Sequence, residues 1–302
     1  GYGDILQSIW YSLENDYFTS PHPNNAINIF KKMKNIKCYP LSICFRCPFY
    51  HCKFLKIINE EPNKEYNRKE IQSFFPEPKE NENMNKPVFF LHGGINNNIE
   101  SKNTAEIILN IILTIMANDN DIGYGDIVVL SKKINNNAVF QKLDVLLKEH
   151  NIDSIFYETK CGDENKTIDM SKLKEYKCSK CNKEFNKKSY KCKNCGELRK
   201  RNKIALISGH GFKGGEAKLV IVFGQSELSI PTRNHPGTPN ELNDRSQINV
   251  LNSRSLKYLF IGSNTMPSRY ISNNIKKLSN VMYFVQDFPE YLQKQLKSNM
   301  SA

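Results

Sequence analysis

Short apolar runs alternate with longer segments in which apolar residues recur every three or four positions along most of the chain. The short runs predict strands, and the longer periodic segments predict helices. Strands are predicted at Val88–Leu91, Asp126–Leu130, Ser154–Tyr157, Ile204–Ser208, Leu219–Phe223, Lys257–Gly262 and Val281–Val285. Helices are predicted at Asn24–Asn35, His51–Asn59, Thr104–Asn118, Ala138–His150, Leu242–Leu251 and Pro289–Ser298. This alternation favours an α/β fold with a mostly parallel sheet that helices cover on both faces.

Composition adds a positive charge to this picture. The 302 residues are 39% hydrophobic and 25% charged, as in soluble globular proteins, and the net charge is +12. This charge favours a polyanionic partner such as nucleic acid, although a lysine-rich composition throughout the chain explains the same value. Residues 60–86 are rich in Glu, Lys, Asn and Pro and predict a polar linker or surface excursion. The apolar stretch at 105–116 is too short and too interrupted to cross a bilayer, so we expect a core helix, no membrane partner and an intracellular location.

Two Cys-x-x-Cys pairs stand close together in a polar part of the chain. Their members are Cys178, Cys181, Cys192 and Cys195. Pairs with this separation can place four thiolates around one structural Zn²⁺ ion, so they predict a zinc ribbon inserted at residues 160–202. The lysines around these pairs either balance the charge of the thiolates or contact a nucleic-acid backbone.

A second group of cysteines lies near the start of the chain. It comprises Cys38, Cys44, Cys47 and Cys52, with His51 beside the last of them. Their spacing fits no common zinc pattern, and therefore the sequence predicts no second metal site. The cysteine count is nine and no secretory signal is visible, so a disulfide framework is not expected either.

Two segments in the last third of the chain combine polar donors with an apolar strand. The Gly-rich turn His-Gly-Phe-Lys-Gly-Gly-Glu at residues 210–216 precedes one strand, and a segment containing Arg254 precedes another. A Gly-rich turn offers backbone N–H groups to an anion, and an arginine at a strand end is a fork-shaped donor for phosphate. The chain contains no Gly-x-x-x-x-Gly-Lys-Ser/Thr, and its one Asp-Glu pair, Asp163-Glu164, lies in a polar loop. The sequence therefore offers a phosphate-sensing half without a phosphate cradle or Mg²⁺ ligands.

Four segments, in chain order, resemble motifs III to VI of superfamily 1 helicases of the UvrD/Rep type. They are Gly-Asp-Ile-Leu-Gln-Ser-Ile-Trp at 3–10, Leu-Ser-Ile-Cys-Phe-Arg-Cys-Pro at 41–48, the turn at 210–216, and Asn-Val-Leu-Asn-Ser-Arg-Ser at 249–255. The Cys-Phe-Arg-Cys-Pro and Ser-Arg-Ser variants are closest in pattern to helicases of large DNA viruses. Several positions depart from the family pattern: Gly215, Ala217, Asn249 and Ser253 stand where Leu, an aromatic residue, Tyr and Thr are usual. After the first motif, Tyr-Ser-Leu-Glu at 11–14 stands where an aromatic residue and Arg-Gly-Ala usually follow.

The resemblance implies a fold and a set of site residues. Residues 41–302 would form a second RecA-like lobe, and residues 1–40 would be the end of the first lobe and a connector. Gln7 would orient the attacking water, while Arg46 and Arg254 would approach the γ-phosphoryl group as catalytic donors. These three residues and the pair Gly214 and Glu216 would bind the nucleotide. Ser208, His210 and Lys213 would contact nucleic acid.

The function implied is that of the C-terminal, nucleotide-sensing and DNA-tracking lobe of an ATP-dependent DNA helicase with 3′→5′ polarity. Its cofactors would be ATP with Mg²⁺ and a structural Zn²⁺, and its partner single-stranded or forked DNA. The P-loop and the Mg²⁺ ligands are expected in a first lobe, in cis or on another polypeptide, so the chain alone is expected to be inactive. A viral origin would place it in a viral factory or the cytoplasm of an infected cell. An alternative is a non-catalytic zinc-ribbon scaffold that binds nucleic acid and derives from a helicase lobe.

Overall fold

A computed structural model describes most of the elements predicted above. The described residues are 43–60, 72–78, 86–92, 98–131, 137–157, 203–209, 215–224, 248–263 and 274–285, together with 181, 183, 194, 195, 212 and 271. The chain divides into two compact units, Gly1–Leu91 with Val222–Gln286 and His92–Ile221 with Asp287–Ala302. The predicted helices at 24–35 and 289–298 lie outside the described residues.

Two short strands begin the described part of the first unit. Strand β1 (Ile43–Cys44) pairs in parallel with β2 (Gln72–Ser73), so Cys44 lies opposite Ser73. The backbone N–H of Phe74 donates to the carbonyl of Cys44 at 2.9 Å, and the rings of Phe45 and Phe74 lie 4.7 Å apart. Residues 72–78, within the range predicted as a polar excursion, therefore include a strand.

Seven further strands of the described part of the chain form one sheet. They are β3 (Val88–Leu91), β4 (Ile127–Ser131), β5 (Ser154–Tyr157), β6 (Ile204–Ser208), β7 (Ala217–Val222), β8 (Ser255–Ser263) and β9 (Tyr283–Val285). Their order across the sheet is β5-β6-β4-β7-β8-β3-β9. The pairs β3–β8, β3–β9, β4–β6 and β5–β6 are all parallel. The prediction of an α/β fold with a mostly parallel sheet is confirmed.

The strands that lie inside the sheet explain why the apolar runs are continuous. All residues of β4 and of β6 are buried. A parallel sheet is typically covered on both faces, so its inner strands have no solvated face. Ser131 and Ser208, at the ends of these two strands, lie opposite each other. The carboxyl ends of parallel strands meet at one edge of the sheet, so Ser131 and Ser208 share that edge.

The described residues include four helices: α1 (Phe49–Ile58), α2 (Asn98–Asn118), α3 (Ala138–Glu149) and α4 (Ile275–Leu278). Helix α3 begins where the side chain of Asn137 accepts hydrogen bonds from the N–H groups of Val139 and Phe140, at 3.1 and 3.4 Å. An N-cap of this kind stabilises a helix by about 1 kcal/mol. Helix α3 packs against α2 in the second unit.

Helix α2 begins six residues before the predicted start and ends where predicted. Six of its apolar residues are buried, which confirms a core helix; they are Ala105, Ile108, Leu109, Ile111, Ile112 and Ile115. Within the described ranges, the helices are all too short or too polar to span a membrane. A 3-10 turn at Tyr124–Asp126 leads into β4.

Candidate functional site

A tight turn between β1 and α1 holds Arg46. The N–H of Cys47 donates to the sulfur of Cys44 at 3.3 Å, and the hydroxyl of Ser73 donates to the carbonyl of Cys47 at 2.9 Å. Pro48 stands just before α1, where a residue without an N–H costs nothing, and its carbonyl accepts from the N–H of Cys52 at 3.0 Å. The turn is therefore fixed at both ends, and Arg46 lies within it.

A second segment holds Arg254 between a helical turn at residues 248–252 and β8. The N–H of Ser253 donates to the carbonyl of Asn249 at 3.1 Å, which closes the helical turn. Arg254 is only 2% exposed, and its Nε donates to the carbonyl of Val250 at 2.8 Å. A helix end leaves carbonyls that need donors, and the guanidinium satisfies one of them. Because burying a charge is costly, Arg254 is not an ordinary surface arginine.

These two segments lie side by side in the first unit. The thiol of Cys47 donates to the carbonyl of Ser253 at 3.6 Å across 206 residues of sequence. A second contact joins Asn59, just after α1, to Asn249: Nδ2 donates to Oδ1 at 3.0 Å. Cys47 and Ser253 are the chain neighbours of Arg46 and Arg254. The structure thus brings together the two segments in which the sequence predicted arginine donors.

Asn252 adds an unsatisfied polar group to the same corner. Its side chain is fully buried, and within the described part of the chain neither Oδ1 nor Nδ2 has a hydrogen-bond partner. Leaving a buried amide without partners costs about 1–3 kcal/mol. The segment 249–254 therefore keeps an amide and a guanidinium in a buried place at a cost to stability.

The second unit holds the other described residues of the predicted site. Ser208 is buried at the end of β6, and Glu216 is exposed just before β7. The N–H of Gly209 donates to the carbonyl of Ser131 at 3.0 Å, and that of Phe212 donates to the carbonyl of Ser208 at 3.1 Å. Hydrogen bonds to β4 and to the end of β6 therefore hold Gly209 and Phe212. The predicted residues Gln7, His210, Lys213 and Gly214 lie outside the described residues.

Gly215 and Phe212 explain one departure from the helicase pattern. A Cβ atom built on Gly215 would lie 2.6 Å from Cε2 of Phe212, and the Phe212 ring is buried. No side chain fits at that distance, so the glycine makes room for the ring. The pair replaces the leucine that is usual at position 215.

The predicted zinc ribbon is only partly described. Of its four cysteines, Cys181 and Cys195 are described, half-buried and not in disulfides, whereas Cys178 and Cys192 lie outside the described residues. Between the two pairs, Nζ of Lys183 donates to Oδ1 of Asn194 at 3.1 Å. This contact brings residues close in sequence to Cys181 and Cys195 together. The zinc site itself stays a prediction.

The sequence predicts no metal site in the first group of cysteines, but the structure brings three of them close together. The sulfur atoms of Cys44, Cys47 and Cys52 all lie within 4.8 Å of one another and could hold a metal ion. The spacing did not indicate this arrangement, because it depends on how the turn at 44–47 meets the first turn of α1. Neither Cys38 nor its surroundings are described.

The three thiols share their protons unequally. Hydrogen bonds from the thiols of Cys47 and Cys52 lower the pKa of Cys44 to about 2. The hydrogen bond to Cys44 and burial raise the pKa of Cys47, and the hydrogen bond to Cys44 raises the pKa of Cys52 to about 12. Ionisation of one sulfur therefore opposes ionisation of the other two, since adjacent thiolates repel one another.

Comparisons with known proteins give little further information. No protein-family model matches the chain, and no curated protein matches it. A solved structure described as the C-terminal domain of a possible DNA helicase from Lactobacillus plantarum WCFS1 is similar at 12% identity and a TM-score of 0.42, over 80% of this chain and 98% of that chain. A similarity at this level supports no inference about function.

Proposed function

We propose that the chain is the nucleotide-sensing and DNA-tracking lobe of an ATP-dependent DNA helicase. The observation that carries this proposal is the contact between Cys47 Sγ and Ser253 O at 3.6 Å, which joins the segments of Arg46 and Arg254. Phosphoryl transfer spreads negative charge over the terminal oxygens, and cationic fork donors that converge on one point stabilise that charge. Two arginines on unrelated surfaces would offer no such convergence.

The fixed orientation of Arg254 suits this role. Its Nε is held by the carbonyl of Val250 at 2.8 Å, so the plane of the guanidinium is set by the helical turn before it. A guanidinium whose plane is fixed loses little freedom when it binds a phosphate with two parallel bonds. The backbone of the turn with Arg46 is fixed by Ser73 and Cys44. Both arginines would then respond together when the cleft closes on ATP.

The remaining parts of the proposal follow the helicase resemblance. ATP and Mg²⁺ would be held mainly by a lobe that carries a P-loop, with Gln7, Gly214 and Glu216 completing the nucleotide site. Ser208, His210 and Lys213 would contact single-stranded or forked DNA, and the net charge of +12 favours that polyanion. The chain would belong to a viral helicase of the UvrD type with RecA-like lobes. Closure and opening of the cleft would drive its 3′→5′ movement along DNA. Zn²⁺ would hold the ribbon together.

A second candidate is a scaffold that binds nucleic acid without hydrolysing ATP. The observation that favours it is the same bond from Arg254 to Val250, which gives the arginine a structural role at a helix end. In that case Arg254 would matter for stability and not for turnover. The two candidates make different predictions for one substitution.

The test is ATP hydrolysis by the chain joined to its proposed P-loop lobe, with and without single-stranded DNA. Arg254→Met keeps the length of the side chain but removes the fork, and it is expected to reduce turnover by about 10³-fold or more. DNA affinity should change little, because nucleic-acid contacts are assigned to other residues. The matched control is Lys276→Met, which removes an exposed cation from α4 of the same unit. Normal ATP turnover by a folded Arg254→Met variant would favour the scaffold and contradict the proposed helicase function.

A further inference from the structure

We propose that Cys44, Cys47 and Cys52 are ligands of one structural Zn²⁺ ion that fixes the turn carrying Arg46. This site is separate from the predicted ribbon, and it stands on geometry that does not depend on the helicase proposal. Its three sulfurs come from the end of β1, from the turn, and from the first part of α1. An ion bound there would tie all three pieces together.

The distances fit a tetrahedral thiolate centre. Zinc–sulfur bonds of about 2.3 Å at tetrahedral angles place neighbouring sulfurs about 3.8 Å apart. The three sulfurs already lie within 4.8 Å of one another. Rotations about the Cα–Cβ bonds of the cysteines suffice to close the difference, since none of the three is held in a disulfide.

The backbone around the cluster is arranged as expected for a metal knuckle. The N–H of Cys47 points at the sulfur of Cys44 at 3.3 Å, and such donors stabilise a thiolate that binds a metal. Cys47 and Cys52 are 2% and 5% exposed, so an ion bound there would be shielded from water. The backbone around Cys47 is held by Ser73, which keeps the chelating turn in place before any metal binds.

The chemistry of the ligands selects the metal. Buried thiolates prefer soft or borderline cations, and Zn²⁺ takes four ligands in a tetrahedron. Cys44, Cys47 and Cys52 supply three of these four ligands. An iron–sulfur cluster is the competing use of the same donors.

The ion would also act on the neighbouring segment. Arg46 lies inside the chelate loop between Cys44 and Cys47, and Cys47 Sγ contacts the carbonyl of Ser253. A thiolate bound to zinc no longer donates to that carbonyl. Metal binding would therefore replace this hydrogen bond with a metal–sulfur bond and add a further constraint to a turn that Ser73 already holds.

The test compares the metal content of folded variants of the whole chain. Cys44→Ser/Cys47→Ser is expected to contain one zinc ion per chain fewer than the unmodified protein, as counted by native mass spectrometry and plasma emission. The control is Cys161→Ser, at a cysteine that belongs to neither group, and it should leave the zinc content unchanged. Equal zinc content in Cys44→Ser/Cys47→Ser and the unmodified chain would overturn the proposal.

A second measurement covers the case in which that variant does not fold. Cys178→Ser/Cys181→Ser removes the predicted ribbon site and leaves the first cluster intact. Reconstituted with Co²⁺ alone, this variant is expected to show sulfur-to-cobalt charge-transfer absorption together with the ligand-field bands of a tetrahedral ion. Absence of both signals, or iron with acid-labile sulfide in the purified protein, would contradict a zinc site.

Discussion

The side chains of Asn59 and Asn249 form a buried hydrogen bond between α1 and the helical turn that precedes Arg254. Nδ2 of Asn59 donates to Oδ1 of Asn249 at 3.0 Å and also to the carbonyl of Leu55 at 2.8 Å. Both donor hydrogens of Asn59 are thus used, and both side chains are buried. Asn249 stands where the helicase motif usually has Tyr.

Asn249→Ala should therefore destabilise the protein. One hydrogen of the buried Asn59 amide loses its acceptor, which is expected to lower the free energy of unfolding by about 1–3 kcal/mol. Urea unfolding measures this loss. The control is Asn118→Ala. Like Asn59, Asn118 donates to a carbonyl four residues earlier, but it is exposed at the end of α2, so its replacement should cost less than about 0.5 kcal/mol. Equal losses for the two variants would show that burial of the pair is unimportant.

Most of the sheet could be predicted from the sequence because its strands are short apolar runs, and the inner strands β4 and β6 are buried throughout. The runs at Val88–Leu91, Ser154–Tyr157 and Ile204–Ser208 were predicted with the bounds that the structure has. The short strands β1 and β2 were not predicted, since two residues carry no periodic pattern. The start of α2 was missed because its first residues are mostly polar, so no apolar period marks them.

The candidate site was harder to predict for physical reasons. Sequence spacing describes contacts within a turn, but the cluster of Cys44, Cys47 and Cys52 forms where a turn meets a helix. Arg254 is 2% exposed, and its burial depends on the helix end that precedes it. It also depends on the contact between Ser253 and the thiol of Cys47, which lies 206 residues before Ser253. A buried charge of this kind has no signature in composition or periodicity.

The close contact between Gly215 and Phe212 predicts a clash for larger side chains. Gly215→Leu would restore the residue usual in the helicase motif, but its Cβ would lie 2.6 Å from the ring of Phe212. We expect this substitution to lower the free energy of unfolding by about 1–3 kcal/mol. Phe212→Ala in the same chain should recover part of that loss, because the new side chain then fills the space left by the ring. Additive losses in the double variant would contradict a direct contact.

Stability should also fall at high pH through Tyr283. Burial raises the pKa of Tyr283 above its usual value of 10.0, and the charge of Tyr50 raises it further. The unfolded chain then loses this proton first, so the contribution to stability is complete below pH 10.0 and is lost as the pH rises through the pKa of the folded state. Urea unfolding of the unmodified chain and of Tyr283→Phe between about pH 9 and pH 11 measures this loss. The free energy of unfolding should fall less steeply with pH in Tyr283→Phe than in the unmodified chain. Identical declines would show that Tyr283 does not contribute to the loss of stability at high pH.

The burial of Arg254 predicts that the chemically more conservative exchange is the more damaging one. Arg254→Lys keeps a charge in a place that is 2% exposed but removes the Nε donor to Val250, so an ammonium ion is buried without the fork that positions it. We expect a loss of about 2–4 kcal/mol. Arg254→Met also gives up the bond but buries no charge, and we expect a loss of about 1–2 kcal/mol.

Urea unfolding of the two variants gives the order directly, with Arg46→Lys as the control because Arg46 is less buried than Arg254. Since the lysine introduced by this control would keep its ammonium group near water, the exchange should cost less than about 1 kcal/mol. A smaller loss for Arg254→Lys than for Arg254→Met would mean that the site tolerates a hydrated cation. The guanidinium would then not be held in the buried, oriented state on which its proposed approach to the γ-phosphoryl group depends.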